Sequence, residues 1–151
     1  DRDRMHLLEF VERRALPTEM RRLSKAAHGR IGLGRTAMTD RAETQLAAYF
    51  AKESRGFDLA LAQNGTPFQN LVWAELMRIP MGVTVSYSEL ARRMGRPEAT
   101  RAIARANGAN QIAVVIPCHR VLGADGALTG YGGGLWRKEA LLRHEGSRPP
   151  A

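Results

Sequence analysis

The chain has 151 residues, 44% of them hydrophobic, which is enough for one domain or for two small ones that share a core. No apolar run approaches the roughly 18 residues of a membrane span, and the opening DRDRMHLLEF has no signal-peptide core. A single cysteine, Cys118, excludes an internal disulfide and a purely thiolate zinc site, which fits a reducing cytosol. The net charge of +8 favours a polyanionic partner such as nucleic acid, although a merely basic protein would show the same balance.

In the N-terminal half, the hydrophobic pattern predicts a strand over 5–12, a helix over 16–28, a helix over 39–54 and a half-buried strand over 57–63. Thr39 and Asp40, with Glu43 nearby, are expected to cap the second helix. The inward residues of that helix are predicted to be Leu46, Ala47, Tyr49 and Phe50. The NGTP stretch at 64–67 then divides the chain into two predicted units, 1–65 and 66–151.

The C-terminal half begins with a predicted helix over 67–80, whose apolar face consists of Phe68, Leu71, Val72, Leu76 and Ile79. A short strand, a helix, a turn and a second helix are predicted over 81–110. The run QIAVVIPC at 111–118 is apolar almost throughout and is interpreted as a buried strand that ends at Pro117. Glycine-rich coil leads from there into a last helix that begins at about Leu135.

The two helices within 86–108 have the spacing of a helix-turn-helix. Ser86 and Glu89 stand at capping-box spacing, and Gly95 can supply the positive φ that a tight turn needs. The second helix can expose Arg101 and Arg105 on one face, where they would meet DNA. An ordinary helical hairpin with solvated arginines fits these residues equally well. The many small residues of the second helix suit close, sequence-independent docking better than base reading.

Cys118 lies between Pro117 and His119, and it could be a metal ligand, a buried filler or a nucleophile. There is no second thiolate and no metal-ligand spacing among the histidines, which argues against a metal site. Burial as a filler is the usual fate of a lone cysteine. However, Pro117 places Cys118 at the exit of the apolar run, and an adjacent histidine can generate a thiolate. The pattern therefore favours a nucleophile.

The PCHR motif at 117–120 resembles the active-site motif of the O6-alkylguanine-DNA alkyltransferases. The segments SYSELARRMGRPEATRAIARANGAN (86–110) and AVVIPCHRVLGADGALTGYGGGLWRKEALLRHEG (113–146) are collinear with that family, and the pattern is most similar to the C-terminal half of bacterial Ada-type proteins. The resemblance implies an α/β fold. A small ribonuclease-H-like sheet, here without its usual opening hairpin, would lie in an N-terminal subdomain, followed by a mostly helical C-terminal domain with the helix-turn-helix.

The resemblance also implies DNA repair by irreversible transfer of a methyl group from O6 of guanine, or from O4 of thymine, to Cys118. His119 would act as a base through a water molecule, and Glu145 would hold the histidine. Asn110 would tie the second helix to the cysteine segment. Tyr87 would drive rotation of the nucleotide and help to protonate the leaving guanine.

The same resemblance assigns the two binding surfaces. The implied DNA-binding residues are Tyr87, Arg101, Ala102, Arg105 and Arg120, of which Arg101 would fill the gap left by the flipped base. The implied substrate pocket consists of Asn107, Val121, Tyr131, Gly132, Gly133 and Lys138. In that pocket the carbonyls of Cys118 and Val121 would accept from the guanine amine, the segment 131–134 would close over the base, and Lys138 would lie at the edge. Asn107 occupies a position that is often apolar in the family.

The implied partner is double-stranded DNA that contains alkylated guanine. The chain is expected to act as a monomer in the bacterial cytosol or nucleoid, without membrane, cofactor or metal. One alternative is a lesion sensor or regulatory DNA-binding module without transfer, but relatives in that role replace the cysteine. Another is a thiol hydrolase built on Cys118, His119 and Glu145, which would leave Arg101 without a role.

Overall fold

The computed structural model describes residues 1–62 and 64–147, which are mostly helical. The helices are α1 (Leu16–Ala26), α2 (Ala37–Phe50), α3 (Pro67–Leu76), α4 (Tyr87–Arg93), α5 (Thr100–Gly108) and α6 (Leu135–His144). Two short strands, β1 (Val85–Ser86) and β2 (Val121–Leu122), pair in parallel, and 3₁₀ turns span Pro97–Ala99 and Cys118–Arg120. A small sheet with a mostly helical C-terminal part confirms the predicted α/β class. None of the helices in these residues has the length and apolarity needed to cross a membrane.

The N-terminal half contains α1 and α2, and the described residues there form no continuous strand. The two strands predicted over 5–12 and 57–63 are therefore wrong. Met5 forms a single parallel bridge with Leu61, and Leu8 forms another with Ile112. A strand needs a partner along its whole length, and these segments meet their neighbours at single points. The opening segment nevertheless joins the two halves of the chain.

The start of α2 differs from the prediction because a different threonine caps it. The side chain of Thr36 accepts from the Thr39 backbone at 3.2 Å, and the Thr39 side chain accepts from the Thr36 backbone at 2.8 Å. This reciprocal pair starts the helix at Ala37, so Thr39 takes part in the cap as predicted, but as the third helical residue. Thr36 is the N-cap, and Asp40 has no part in this pair. Of the predicted inward residues, Tyr49 is buried and Leu46 half-buried, but Ala47 and Phe50 are exposed.

In the C-terminal half, α3 ends at Leu76, and its predicted inward residue Leu71 is exposed. The helix-turn-helix is formed by α4 and α5. Ser86 caps α4 by accepting from the Glu89 backbone at 3.0 Å, and Gly95 has a φ of +67° in the turn, as expected. Trp73 of α3 donates to the Ala106 carbonyl at 2.8 Å and so fixes α5 against the rest of the domain.

The larger of two buried apolar clusters in the described residues extends through both halves of the chain. Met5, Met38 and Ala42 pack in the same buried cluster as Leu76 and Ile103. Cys118 belongs to this cluster as well. The surroundings of the cysteine therefore depend on residues from the whole described chain.

Candidate active site

Cys118 begins the 3₁₀ turn Cys118–Arg120, directly after a fully buried segment over 112–117. That segment is not the predicted strand. Apart from its bridge at Ile112 it folds as a turn, in which Val114 has a φ of +69°. Uninterrupted apolarity indicates burial but does not distinguish backbone conformations, which explains the error. Since a β-branched residue is strained at positive φ, neighbouring groups must hold the turn in place.

Asn110 is one of the groups that hold it. Its Oδ1 accepts from the Ile112 backbone at 2.9 Å, and its Nδ2 donates to the Ile116 carbonyl at 2.9 Å. The same Nδ2 lies 3.1 Å from Sγ of Cys118. A single buried side chain just beyond α5 thus fixes both ends of the turn and contacts the sulfur.

His119 and Glu145 form a buried pair next to the cysteine. The Nε2 of His119 lies 2.8 Å from Oε1 of Glu145, and neither side chain is exposed to solvent. Because a carboxylate can only accept, Nε2 carries the proton and Nδ1 keeps its lone pair. Nδ1 is buried without a hydrogen-bond partner among the described residues. Burial lowers the pKa of His119 despite the opposing effect of Glu145, so the neutral ring offers a free basic nitrogen.

Glu145 is held by three side chains. Arg120 binds it in a bidentate manner, from Nε to Oε2 at 2.8 Å and from Nη2 to Oε1 at 2.8 Å, and the hydroxyl of Tyr49 donates to Oε1 at 2.8 Å. Burial alone would raise the pKa of Glu145, but the hydrogen bonds from His119 and Arg120, together with the positive charge of Arg120, outweigh it and hold the pKa well below its usual range. Glu145 is therefore a permanent negative charge behind the imidazole.

The hydrogen-bond network around Glu145 contradicts one prediction and contains one residue that was not predicted to belong to the site. Arg120 is only 7% exposed and its guanidinium binds Glu145 and the Ile79 carbonyl, so the prediction that it contacts DNA is wrong. A buried carboxylate 25 residues away in sequence has recruited it. Tyr49 comes from α2 and was predicted only as a core residue. The available signal was chemical, because a buried tyrosine hydroxyl needs a partner.

The thiol of Cys118 is protonated in the resting protein. Burial raises its pKa, and the hydrogen bond from Asn110 opposes this effect only in part. The fold therefore places a neutral thiol beside a neutral imidazole. A reaction at sulfur requires the proton to be removed when substrate arrives, since the thiolate is the nucleophilic form.

Tyr87 and Asn107 also lie at the cysteine. Tyr87 is the first residue of α4 and is half-buried, and Asn107 lies on the buried face of α5. The Nδ2 of Asn107 is 3.2 Å from the Tyr87 hydroxyl and 3.3 Å from the Cys118 carbonyl. Burial raises the pKa of Tyr87, and a thiolate at Cys118 would raise it further, so the Tyr87 hydroxyl is a neutral donor.

The glycine-rich segment 131–134 packs against the opening segment of the chain. A Cβ on Gly133 would lie 2.6 Å from the Phe10 ring, and a Cβ on Gly132 would lie 2.8 Å from the guanidinium carbon of Arg13. The Tyr131 ring meets Phe10 edge to face, with 6.3 Å between the centroids. Both glycines are therefore needed for this close approach.

Arg13 is a buried residue that no sequence pattern indicated. It pairs with Glu9 at 2.5 Å and with Glu19 at 2.9 Å, and it donates to the Gly108 carbonyl at 3.0 Å. It thus connects the N-terminal half to the end of α5 and to Gly132.

Lys138 does not lie at a pocket edge, as the resemblance implied. It is fully buried, and its Nζ donates to the carbonyls of Val121 and Thr129, at 2.7 Å each. Burial lowers its pKa to about 8. The two hydrogen bonds from Lys138 hold the backbone at Val121 and Thr129 in place. The Val121 carbonyl therefore already accepts one hydrogen bond.

The exposed face of α5 carries Arg101, Ala102 and Arg105, opposite the face that buries Ile103 and Asn107. Neither arginine forms an ion pair within the described part of the chain. One short helix therefore presents free positive charge to solvent and, on its other side, a polar group to the cysteine. Across residues 1–62 and 64–147, no three potential metal-ligating side chains come together.

The geometry defines a helix-turn-helix protein with a buried cysteine–histidine–glutamate site. The sequence model for the 6-O-methylguanine DNA methyltransferase DNA-binding domain matches residues 67–147. A Mycobacterium tuberculosis protein named methylated-DNA–protein-cysteine methyltransferase is 57% identical over 107 residues, 71% of this chain and 65% of the relative. A protein of the same name from Methanosarcina acetivorans is 54% identical over 106 residues, 70% of this chain and 68% of the relative.

A crystal structure of the M. tuberculosis protein OGT in complex with DNA is 55% identical, with a TM-score of 0.69 over 74% of this chain and 70% of that structure. These matches show that the chain belongs to the 6-O-methylguanine DNA methyltransferase family. The matched region spans 65% of the mycobacterial relative's length, a little less than two thirds.

Proposed function

We propose that the protein repairs DNA by transferring an alkyl group from O6 of guanine to Cys118, once per molecule. The observation that carries the proposal is that the only cysteine is followed directly by a buried imidazole, whose Nδ1 has no hydrogen-bond partner among the described residues and whose Nε2 is held by a charged Glu145. The names of the relatives support the same reaction.

In the proposed step, Nδ1 of His119 takes the thiol proton through a water molecule, and Glu145 stabilises the resulting imidazolium. The thiolate attacks the alkyl carbon, so that the S–C bond forms as the C–O6 bond breaks. Tyr87 donates a proton to the departing guanine. The proton that His119 took from the thiol then passes back to Tyr87. Counted over the whole step, the thiol proton replaces the alkyl group on guanine. The alkylated sulfur has no proton to lose, which ends the activity of that molecule.

We propose that DNA binds to the exposed face of α5. Arg101 enters the gap left by the flipped nucleotide, Arg105 neutralises phosphate, and the small Ala102 lets the helix approach the minor groove closely. The carbonyl of Val121, which accepts from Lys138, would accept from the guanine amine with its other lone pair. The carbonyl of Cys118 already accepts from Asn107 and from the Val121 N–H, so it would exchange one of these hydrogen bonds for the guanine amine. Residues 131–134 cover the base. Residues 66–151 would contain the reacting groups, and 1–65 would support them through Arg13 and Tyr49.

Mass spectrometry after incubation with duplex DNA that contains O6-methylguanine tests the proposal. We expect one added methyl group on the peptide that holds Cys118, and none with Cys118→Ala. Duplexes with O4-methylthymine test the second substrate in the same assay. Binding of the lesion without a mass gain would overturn the transfer proposal and identify a lesion sensor.

The DNA surface is tested separately by titration with unmodified duplex. Arg105→Ala should weaken binding by roughly tenfold and reduce the salt dependence by about one counterion. Arg101→Ala should slow transfer from duplex DNA more than transfer from free O6-benzylguanine, which needs no flipping. Equal effects on both substrates would argue against a flipping role for Arg101.

A further inference from the structure

We propose that Asn107 is a positioning residue: it donates a hydrogen bond to the Tyr87 hydroxyl and thereby leaves the only proton of that hydroxyl free to point at the substrate. This inference rests on the proposed function, because it concerns the same reaction. It gives a chemical role to a residue whose position suggested only a pocket wall.

The direction of the hydrogen bond follows from the neighbours of the amide. One terminal atom of Asn107 lies 3.3 Å from the Cys118 carbonyl and 3.2 Å from the Tyr87 hydroxyl. A carbonyl oxygen can only accept, so the atom that faces it is the amide nitrogen. The nitrogen has two protons, one for each neighbour. Asn107 therefore donates to Tyr87, and the phenol oxygen is the acceptor.

This direction settles where the phenol proton can go. A tyrosine hydroxyl has one proton and accepts through its lone pairs. Because Asn107 offers Tyr87 a donor, the hydroxyl proton must point elsewhere, and Asn107 is the only hydrogen-bond partner of this hydroxyl within residues 1–62 and 64–147. The hydroxyl also lies 3.8 Å from where a Cβ of Gly130 would be, one residue before the glycine-rich segment 131–134. The hydroxyl is thus close to the chain that leads into the segment proposed to cover the base.

Asn107 is well fixed for this purpose. It is 1% exposed, lies on the buried face of α5, and follows Ala106, whose carbonyl accepts from Trp73. A leucine has the same branching at Cγ, although it is larger, and it offers neither hydrogen bond. A phenol without its donor could rotate and point its proton at the Cys118 carbonyl. Positioning by Asn107 removes that competing orientation.

A double-mutant cycle tests the inference, using single-turnover transfer from O6-methylguanine duplex and from free O6-benzylguanine. Removing a well-placed proton donor costs about 10²- to 10⁴-fold in rate. We expect Asn107→Leu, which only misdirects the donor, to slow transfer by at least about tenfold in the presence of Tyr87. In the Tyr87→Phe background the same change should alter the rate by less than about twofold. Equal losses in both backgrounds would overturn the inference, because Asn107 would then act on pocket shape.

Asn107→Asp is the matched variant that probes direction. Aspartate has the shape of asparagine, but its carboxylate only accepts, so it would take the phenol proton for itself. We expect it to be slower than Asn107→Leu, with unmodified-duplex affinity unchanged in both. Transfer by Asn107→Asp at the wild-type rate would refute the donor direction. Failure of the wild-type protein to transfer at all would instead refute the proposed function, so the two failures are distinguishable.

Discussion

Two tyrosines with buried hydroxyls allow the same chemical change to be made with opposite expected effects on stability. The Tyr49 hydroxyl donates to the charged carboxylate of Glu145 at 2.8 Å. The Tyr131 hydroxyl is buried and has no hydrogen-bond partner in the described part of the chain. Replacement of either residue by phenylalanine removes one hydroxyl and keeps the ring and its packing.

The expected changes in the free energy of unfolding follow from the hydrogen-bond partners that remain after each substitution. A hydrogen bond to a charged group contributes about 1.5–3 kcal/mol. After Tyr49→Phe, Glu145 still accepts one hydrogen bond from His119 and two from Arg120. Because the carboxylate keeps these partners, the lower end of that range applies. We therefore expect the free energy of unfolding to fall by about 1.5 kcal/mol. Tyr131→Phe removes a desolvated, unpaired hydroxyl, so its effect should lie between zero and a gain of about 1 kcal/mol.

Urea denaturation at neutral pH measures the difference. Both variants should keep the wild-type m-value, because the surface exposed on unfolding barely changes. In thermal unfolding, Tyr49→Phe should lower the Tm by about 3–6 °C, at about 2–4 °C for each kcal/mol. Equal losses for the two variants, or a greater loss for Tyr131→Phe, would refute the reasoning from hydrogen-bond partners.

Three further predictions concern other parts of the site. The raised pKa of Cys118 means that the native state holds the thiol proton to higher pH than the unfolded chain. The rate at which iodoacetamide alkylates Cys118, measured by mass spectrometry as a function of pH, should therefore have its midpoint above about pH 8.5 in native protein and near pH 8.5 in urea. A native midpoint below the one in urea would contradict this. Gly132→Ala places a Cβ against Arg13 and should destabilise the fold by about 1–3 kcal/mol in urea titrations, whereas no loss would show that Arg13 moves freely. Glu145→Gln leaves buried Arg120 without its counter-ion and should cost about 3–5 kcal/mol; a loss below about 1 kcal/mol would show that water reaches the pair.

Several features of this protein could be predicted because they depend only on residues that are close together in the sequence. The positive φ at Gly95 could be predicted because glycine tolerates that conformation in the turn between α4 and α5. The position of Cys118 after Pro117, next to a histidine, indicated the segment for which we propose the reaction. The helices were predicted because their apolar spacing repeats over several turns, which makes their existence insensitive to distant residues.

Errors arose wherever a residue's environment came from elsewhere in the chain. The segment before Cys118 looked like a strand because it is apolar, but the side chain of Asn110 supplies the hydrogen bonds that hold it as a turn. Arg120 was predicted to be a surface cation because its buried partner, Glu145, is 25 residues away in the sequence. The positions near residues 5–12 and 57–63 had strand-like patterns, but they lack partners along their length.

The sequence by itself determined which residue is the candidate nucleophile, because chemical type and adjacency are local properties. Only the tertiary structure decided what surrounds it. Glu145 lies 26 residues from His119, and Tyr49 lies 96 residues from Glu145, yet all three share one buried hydrogen-bond network. Burial of Cys118 and His119 sets the protonation of the thiol and the imidazole. Desolvation depends on every segment that excludes water, so no short stretch of sequence could reveal it.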